Sequence, residues 1–153
     1  MDRAFDFSKR EKAIGGTGNP NDSRITRYAR QPSYVSLAHI DGLLVDNVQV
    51  LADEKIFAQF PRAAVAVFET ERARLQNISR LPAGSAAGEP VLTLENCRDA
   101  VVTGCRAEPG TPVFLGVRGA RSEEIALSGN FLKHAARPFI LAPEVAASAV
   151  TAP

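Results

Sequence analysis

An excess of charge of either sign is missing from this sequence. Its 153 residues carry 18 Lys plus Arg and 17 Asp plus Glu, a formal net charge of +1. No electrostatic footprint for nucleic acid or for an anionic membrane surface follows from such a balance. Long apolar runs are missing too, and none approaches the roughly 18 residues a membrane span needs. Cysteine is scarce. Cys97 and Cys105 stand eight apart, a spacing that fits no zinc pattern and that is thin ground for a disulfide. Both are expected to be reduced, buried apolar residues. There is no metal-ligand spacing and no Ser/His/Asp or Cys/His arrangement. No catalytic residue, metal or cofactor is therefore expected. Gly15-Gly16-Thr17-Gly18-Asn19-Pro20 is glycine-rich, yet it lacks the lysine of a phosphate loop and the spacing of a dinucleotide fingerprint, and reads as a flexible loop.

What is present is a core-forming composition. Hydrophobic residues make up 45% of the chain, enough to collapse and too many for intrinsic disorder. A chain of about 150 residues suits one domain. The start, Met1 to Arg10, is charged throughout and offers no apolar segment of a secretory signal. A true start at Met1 implies a cytoplasmic protein; a fragment of a longer precursor would leave secretion or the periplasm open. Residues 1–32 are expected as an irregular lead-in, with Ala4-Phe5-Asp6-Phe7 a candidate edge strand. The alanine-rich residues 143–153 are expected to trail off as a loose tail.

Between these ends the sequence repeats. Val35–Val48, Val65–Ile78 and Leu92–Cys105 each place apolar residues at positions 1, 3, 9, 11 and 14, and position 6 is Ile40, Thr70 and Cys97 in turn. A looser fourth segment runs from Val113 to Val117 and resumes at Ile125–Asn130. Positions 1 and 3 are two apart, as are 9 and 11, which is the period of a strand with one face buried. Stacked in register, the segments form columns: Val35, Val65, Leu92; Leu37, Val67, Leu94; Leu43, Ala73, Ala100, Ile125; Val45, Leu75, Val102, Leu127; Val48, Ile78, Cys105. From 43 the column steps 30 residues to 73, 27 to 100 and 25 to 125. Two short strands per repeat and no 3.6-residue period exclude ankyrin and tetratricopeptide repeats. A leucine-rich repeat would need a denser consensus. An antiparallel sandwich also alternates, but it has no reason to keep one residue class in one column. The pattern predicts an all-β, right-handed parallel β-helix of about four coils over residues 33–142, each coil burying its apolar face on the next.

Pro90-Val91-Leu92-Thr93-Leu94-Glu95-Asn96-Cys97-Arg98-Asp99-Ala100-Val101-Val102-Thr103-Gly104-Cys105 resembles a coil of the pectin-lyase-like superfamily. More narrowly, it is similar to the C-terminal coils of glycoside hydrolase family 28, the polygalacturonase-like proteins. Ile125–Leu132 resembles the final coil of such proteins. The resemblance implies hydrolysis of galacturonan-type polysaccharide by inversion, with two carboxyl groups about 6.5–9.5 Å apart. The family's Asn-Thr-Asp, Asp-Asp, Gly-His-Gly and Arg-Ile-Lys motifs do not occur here; Arg24-Ile25 shares only a dipeptide with the last. The expectation is the C-terminal portion of a polysaccharide-degrading protein, without catalytic motifs and inactive alone. Alternatives are a non-catalytic module for acidic polysaccharide and a structural solenoid. Partners would be a polysaccharide or oligosaccharide, and either upstream coils or a second copy at an open N-terminal end.

Candidate binding residues follow from the stacking. His39, Glu69 and Asn96 share an outward column and can meet sugar hydroxyls; an exposed polar ladder is the plainer reading. Ala38, Phe68, Glu95 and Arg118 form the adjoining column, with Phe68 offering a ring to a sugar face. Its plainer reading is a packing surface covered by a loop such as Ile56–Phe60. Arg24, Arg27 and Arg30, with Tyr28 among them, make a basic cluster that suits uronate carboxylates, or a solvated loop. Asp41 and Asp46 suit turns better than catalysis. Asn47 and Asn77 share a column as a candidate asparagine ladder. His134, beside Lys133, reads as surface.

Overall fold

The computed structural model describes residues 33–153. The expected lead-in over 1–32, its glycine-rich loop, and the cluster containing Arg27 and Arg30 lie outside the described residues. Ten strands follow: β1 Ser33–Ala38, β2 Asp41–Leu51, β3 Ala63–Phe68, β4 Glu71–Leu81, β5 Leu92–Glu95, β6 Arg98–Thr103, β7 Thr111–Arg118, β8 Glu123–Ser128, β9 Ala135–Leu141 and β10 Val150–Thr151. A short helix, α1, spans Glu54–Gln59.

The odd strands form one five-stranded sheet, β1-β3-β5-β7-β9, and the even strands a second, β10-β8-β6-β4-β2. All these pairings are parallel. Sequence neighbours such as β1 and β2 never pair, so the chain passes from sheet to sheet and climbs one level per coil. This is a parallel β-solenoid, and the antiparallel sandwich is excluded.

The columns stack as the spacing predicts. Val45 lies beside Leu75, Leu75 beside Val102, and Val102 beside Leu127. In the other sheet Val65, Leu92 and Leu115 align, as do Val67, Leu94 and Val117. Alternate residues face inward and the central coils are dry, with Val65, Val67, Ile78, Leu92, Leu94 and Val102 at 0% exposure. Burying each valine or leucine contributes about 1.5–3 kcal/mol, so the columns are the main source of stability. First-coil members Val35, Leu37, Leu43 and Val48 are only partly buried.

Each coil turns at positions held in the left-handed region. His39, Glu69, Asn96 and Gly119 have φ of 59°, 48°, 52° and 83°; Asn47, Asn77, Gly104 and Gly129 have 58°, 53°, 64° and 63°. A third set is Gly42, Arg72, Asp99 and Glu124, at 83°, 53°, 50° and 55°. Glycine, asparagine and aspartate accept this region readily, whereas glutamate and arginine do so against their preference. Gly119 has a second constraint: a Cβ there would sit 2.2 Å from Asn96 Oδ1, whereas one on Gly42 would meet nothing within 4 Å. Gly119→Ala should therefore cost about 2–3 kcal/mol and Gly42→Ala about 1 kcal/mol. Urea melts of the two variants check this, and equal losses would remove the steric part of the argument.

Hydroxyls close the first corner. Thr70 Oγ donates to the Phe68 carbonyl (2.8 Å) and Ser122 Oγ to that of Arg118 (2.7 Å). Ser122 Oγ also accepts from the Cys97 amide at 3.3 Å. Cys97 and Cys105 are both free and buried, as expected. Burial pushes both thiols up from their ordinary value.

Two expectations need correction. Ile56–Phe60 is not a covering loop. Asp53 Oδ1 accepts from the Lys55 and Ile56 amides at 2.9 and 3.0 Å, caps α1, and so makes this segment helical. Residues 143–153 are not a loose tail. Val145, Ala149 and Val150 are buried in the core, and Val150 and Thr151 pair with Ile125 and Ala126 of β8. The last coil would otherwise leave Ile125 and Leu127 open, and the small apolar tail covers them.

Candidate functional site

The site is built on the outer face of the odd-strand sheet. Between the inward residues of β3, β5, β7 and β9 stand Ala66, Thr93, Gly116 and Ile140, aligned in one row. Phe68, Glu95 and Arg118 make the next outward row. The segment from Pro82 to Pro90 crosses this face. A Cβ on Gly116 would meet Pro90 Cγ at 2.7 Å, and one on Gly84 would meet Pro112 Cδ at 2.2 Å. Glycine is what lets the segment lie that close.

Between this segment, the start of β3 and β9 lies a groove of about 310 Å³. Its floor is Thr93, Gly116 and Ile140; Arg62, Glu89 and Arg118 supply charged groups at its walls. Arg118 Nη2 pairs with Glu95 Oε2 at 3.1 Å, and half of the Arg118 side chain remains exposed. Glu89 Oε2 accepts from Ser85 Oγ at 2.8 Å. Its buried Oε1 has no hydrogen bond and lies 3.9 Å from Arg80 Nη2. Arg62 is buried, donates Nε–H to the Phe60 carbonyl (3.2 Å), and stacks on the Tyr34 ring.

Arg80 holds the crossing segment in place. Its side chain is fully buried. It donates to the carbonyls of Pro82 (3.1 Å), Ala83 (2.6 Å), Pro90 (2.9 Å) and Arg62 (2.8 Å), and more weakly to Glu89 (3.5 Å). Its guanidinium lies 5.0 Å from the Phe57 ring centroid. Desolvation by burial lowers its pKa, partly offset by Glu89. Arginine titrates so high that it keeps its charge near neutrality. Charge and alternation pull against each other at this position, and packing wins: Arg80 follows inward Ile78 by two residues.

The structure divides the candidate residues. Arg118 lines the groove and Glu95 reaches it only through its pair with Arg118, with Phe68 half-buried in their row. His39, Glu69 and Asn96 do stack, but at the left-handed corner. There Asn96 Nδ2 donates to Glu69 Oε1 at 2.7 Å, Arg121 pairs with Glu69 Oε2, and the Arg121 amide donates to Asn96 Oδ1 at 3.2 Å. Glu69 and Asn96 thus satisfy one another as a polar ladder, with exposed His39 at its first rung. The Gly119 amide donates to Glu144 Oε1 at 2.9 Å. That bond holds the Glu144 carboxyl below its ordinary range, so its contribution is present above the unfolded pKa and fades as pH falls through the folded one.

Asp41 pairs with Arg72 at 2.7 Å on the surface. Asp46 accepts from Asn77 Nδ2 at 2.8 Å. The amide of Asn77 therefore serves Asp46, not a ladder with Asn47. Asn130 does the backbone work instead, accepting from the Cys105 amide (2.9 Å) and donating to the Val102 carbonyl (2.8 Å). Among the described residues no cluster of His, Cys, Asp or Glu is arranged to hold a metal ion, and no helix is long and apolar enough to cross a membrane.

The chain matches no family model, no curated protein and no solved structure. Fold and site together define a parallel β-solenoid with a groove on the outer face of one sheet.

Proposed function

We propose that this solenoid is a non-catalytic, glycan-binding part of a polysaccharide-active protein, and that it takes an acidic polysaccharide along the outer face of its odd-strand sheet. The observation that supports this is the groove: a largely apolar lining with a hydroxyl at Thr93 and the half-exposed side chain of Arg118 at its edge. Sugars present C–H faces to such a lining, and an arginine fork matches a uronate carboxylate. The two carboxylates nearby are already engaged, Glu95 by Arg118 and Glu89 by Ser85 and Arg80. Binding suits them better than the acid and base of glycoside hydrolysis.

Calorimetric titration with oligogalacturonate and with a neutral glucan tests this. The acidic oligomer should bind, the neutral one should not, and Arg118→Ala should weaken binding roughly tenfold. The Arg27→Ala/Arg30→Ala variant measures the share of the N-terminal arginines. No reducing ends should appear from polygalacturonate. Absence of any glycan binding would favour a purely structural solenoid, and release of reducing ends would overturn the non-catalytic reading.

A further inference from the structure

The structure assigns a second anion seat, away from the groove, to the corner formed by Arg106, Phe131, Lys133 and His134. Phe131 follows Asn130, whose side chain ties this turn to the coil below through Cys105 and Val102. The ring is thereby held on a fixed mount, yet 43% of the residue is exposed. Arg106 pairs with Phe131 in a parallel bridge, so it lies one coil away in the same stack. Its Cζ sits 5.1 Å from the ring centroid, and Lys133 Nζ sits 5.0 Å from the same point. The His134 ring meets Phe131 edge-on at 5.8 Å.

Three nitrogen-bearing side chains thus converge on one partly exposed ring. The two permanent cations are each about 5 Å from its centroid, so at most twice that separates them. Glu108 offsets Arg106 at 3.2 Å. Among the described residues Lys133 has no carboxylate within ion-pair distance. Cation–π contact holds each charge against the ring, and with Arg106 offset by Glu108 the charge of Lys133 is left for an oxyanion to relieve. Arg106 and Lys133 supply N–H donors, and the positive edge of the ring adds to the field.

The ligand that fits is a carboxylate on a sugar polymer. This assignment rests on the acidic-glycan reading above. One seat alone is weak, but two on one rigid scaffold raise the effective concentration of a polymer that reaches both.

The test is an NMR titration of the full labelled chain with trigalacturonate and with its uncharged methyl ester. Trigalacturonate should shift the Arg106, Lys133 and His134 signals, and the ester should not. Arg106→Gln/Lys133→Gln should lower affinity at the corner roughly tenfold while the Thr93 and Arg118 shifts persist. Both side chains project from the surface, and an unchanged melting temperature would confirm that the variant folds. A corner silent to trigalacturonate, or one that responds equally in the variant or to the ester, overturns the assignment, whatever the groove does. A responding corner beside a silent groove upholds the assignment and removes the groove reading instead.

Discussion

Leu75→Asp should leave the chain unfolded at room temperature. Leu75 is 1% exposed and stacks between Val45 and Val102. Its replacement loses about 1.5–3 kcal/mol of burial. It also puts a carboxylate in a column that offers no partner, at a further cost of several kcal/mol. A domain this size holds about 5–15 kcal/mol in all. The neighbouring outward position supplies the control. Arg74 is exposed on the same strand, so Arg74→Asp should stay within about 0.5 kcal/mol of the parent. Urea titration followed by circular dichroism distinguishes them. A Leu75→Asp protein that melts with the parent's midpoint would mean that this position is not in the core.

Arg80→Met should cost about 3–5 kcal/mol, although methionine fills much of the same space. The loss is in hydrogen bonds. The substitution removes the donors to the carbonyls of Arg62, Pro82, Ala83 and Pro90, of which that of Arg62 is in a buried bond and the others in half-buried ones, at about 1–3 kcal/mol for a buried group left unpaired. Relaxation of the segment recovers part of this, and that relaxation is itself observable. Pro82–Pro90 should become protease-sensitive, and the groove should lose its Glu89–Pro90 wall. Arg80→Lys should fall between parent and methionine, because one ammonium offers three donors where the guanidinium offers five. Unchanged stability with an uncut segment would show that Arg80 is not what holds it.

The coils were legible because two periods coincide. Alternation of two within each segment marks strands, and a recurrence of 25–30 residues marks stacking; only a solenoid requires both. The corners were half legible. The shared column of His39, Glu69 and Asn96 was evident, but glutamate does not announce a left-handed backbone as glycine does. Arg80 was missed because its charge argues for solvent, although its spacing from Ile78 matches that of Val50 from Val48. The terminal cap was missed because Val145, Ala149 and Val150 are set among small residues without alternation. The groove was hidden for a different reason. Its wall is the Pro82–Pro90 segment, folded from between two coils over a third strand, and no local pattern encodes that contact. The spacing of Gly84 and Gly116 makes sense only once Pro112 and Pro90 lie against them.

The stacking itself can be measured directly through methyl–methyl nuclear Overhauser contacts among Val45, Leu75, Val102 and Leu127. Contacts from 45 to 75, 75 to 102 and 102 to 127, with none from 45 to 102, are the expected result. Contacts that skip a rung, or strands found antiparallel, would contradict the solenoid and every binding surface placed on it.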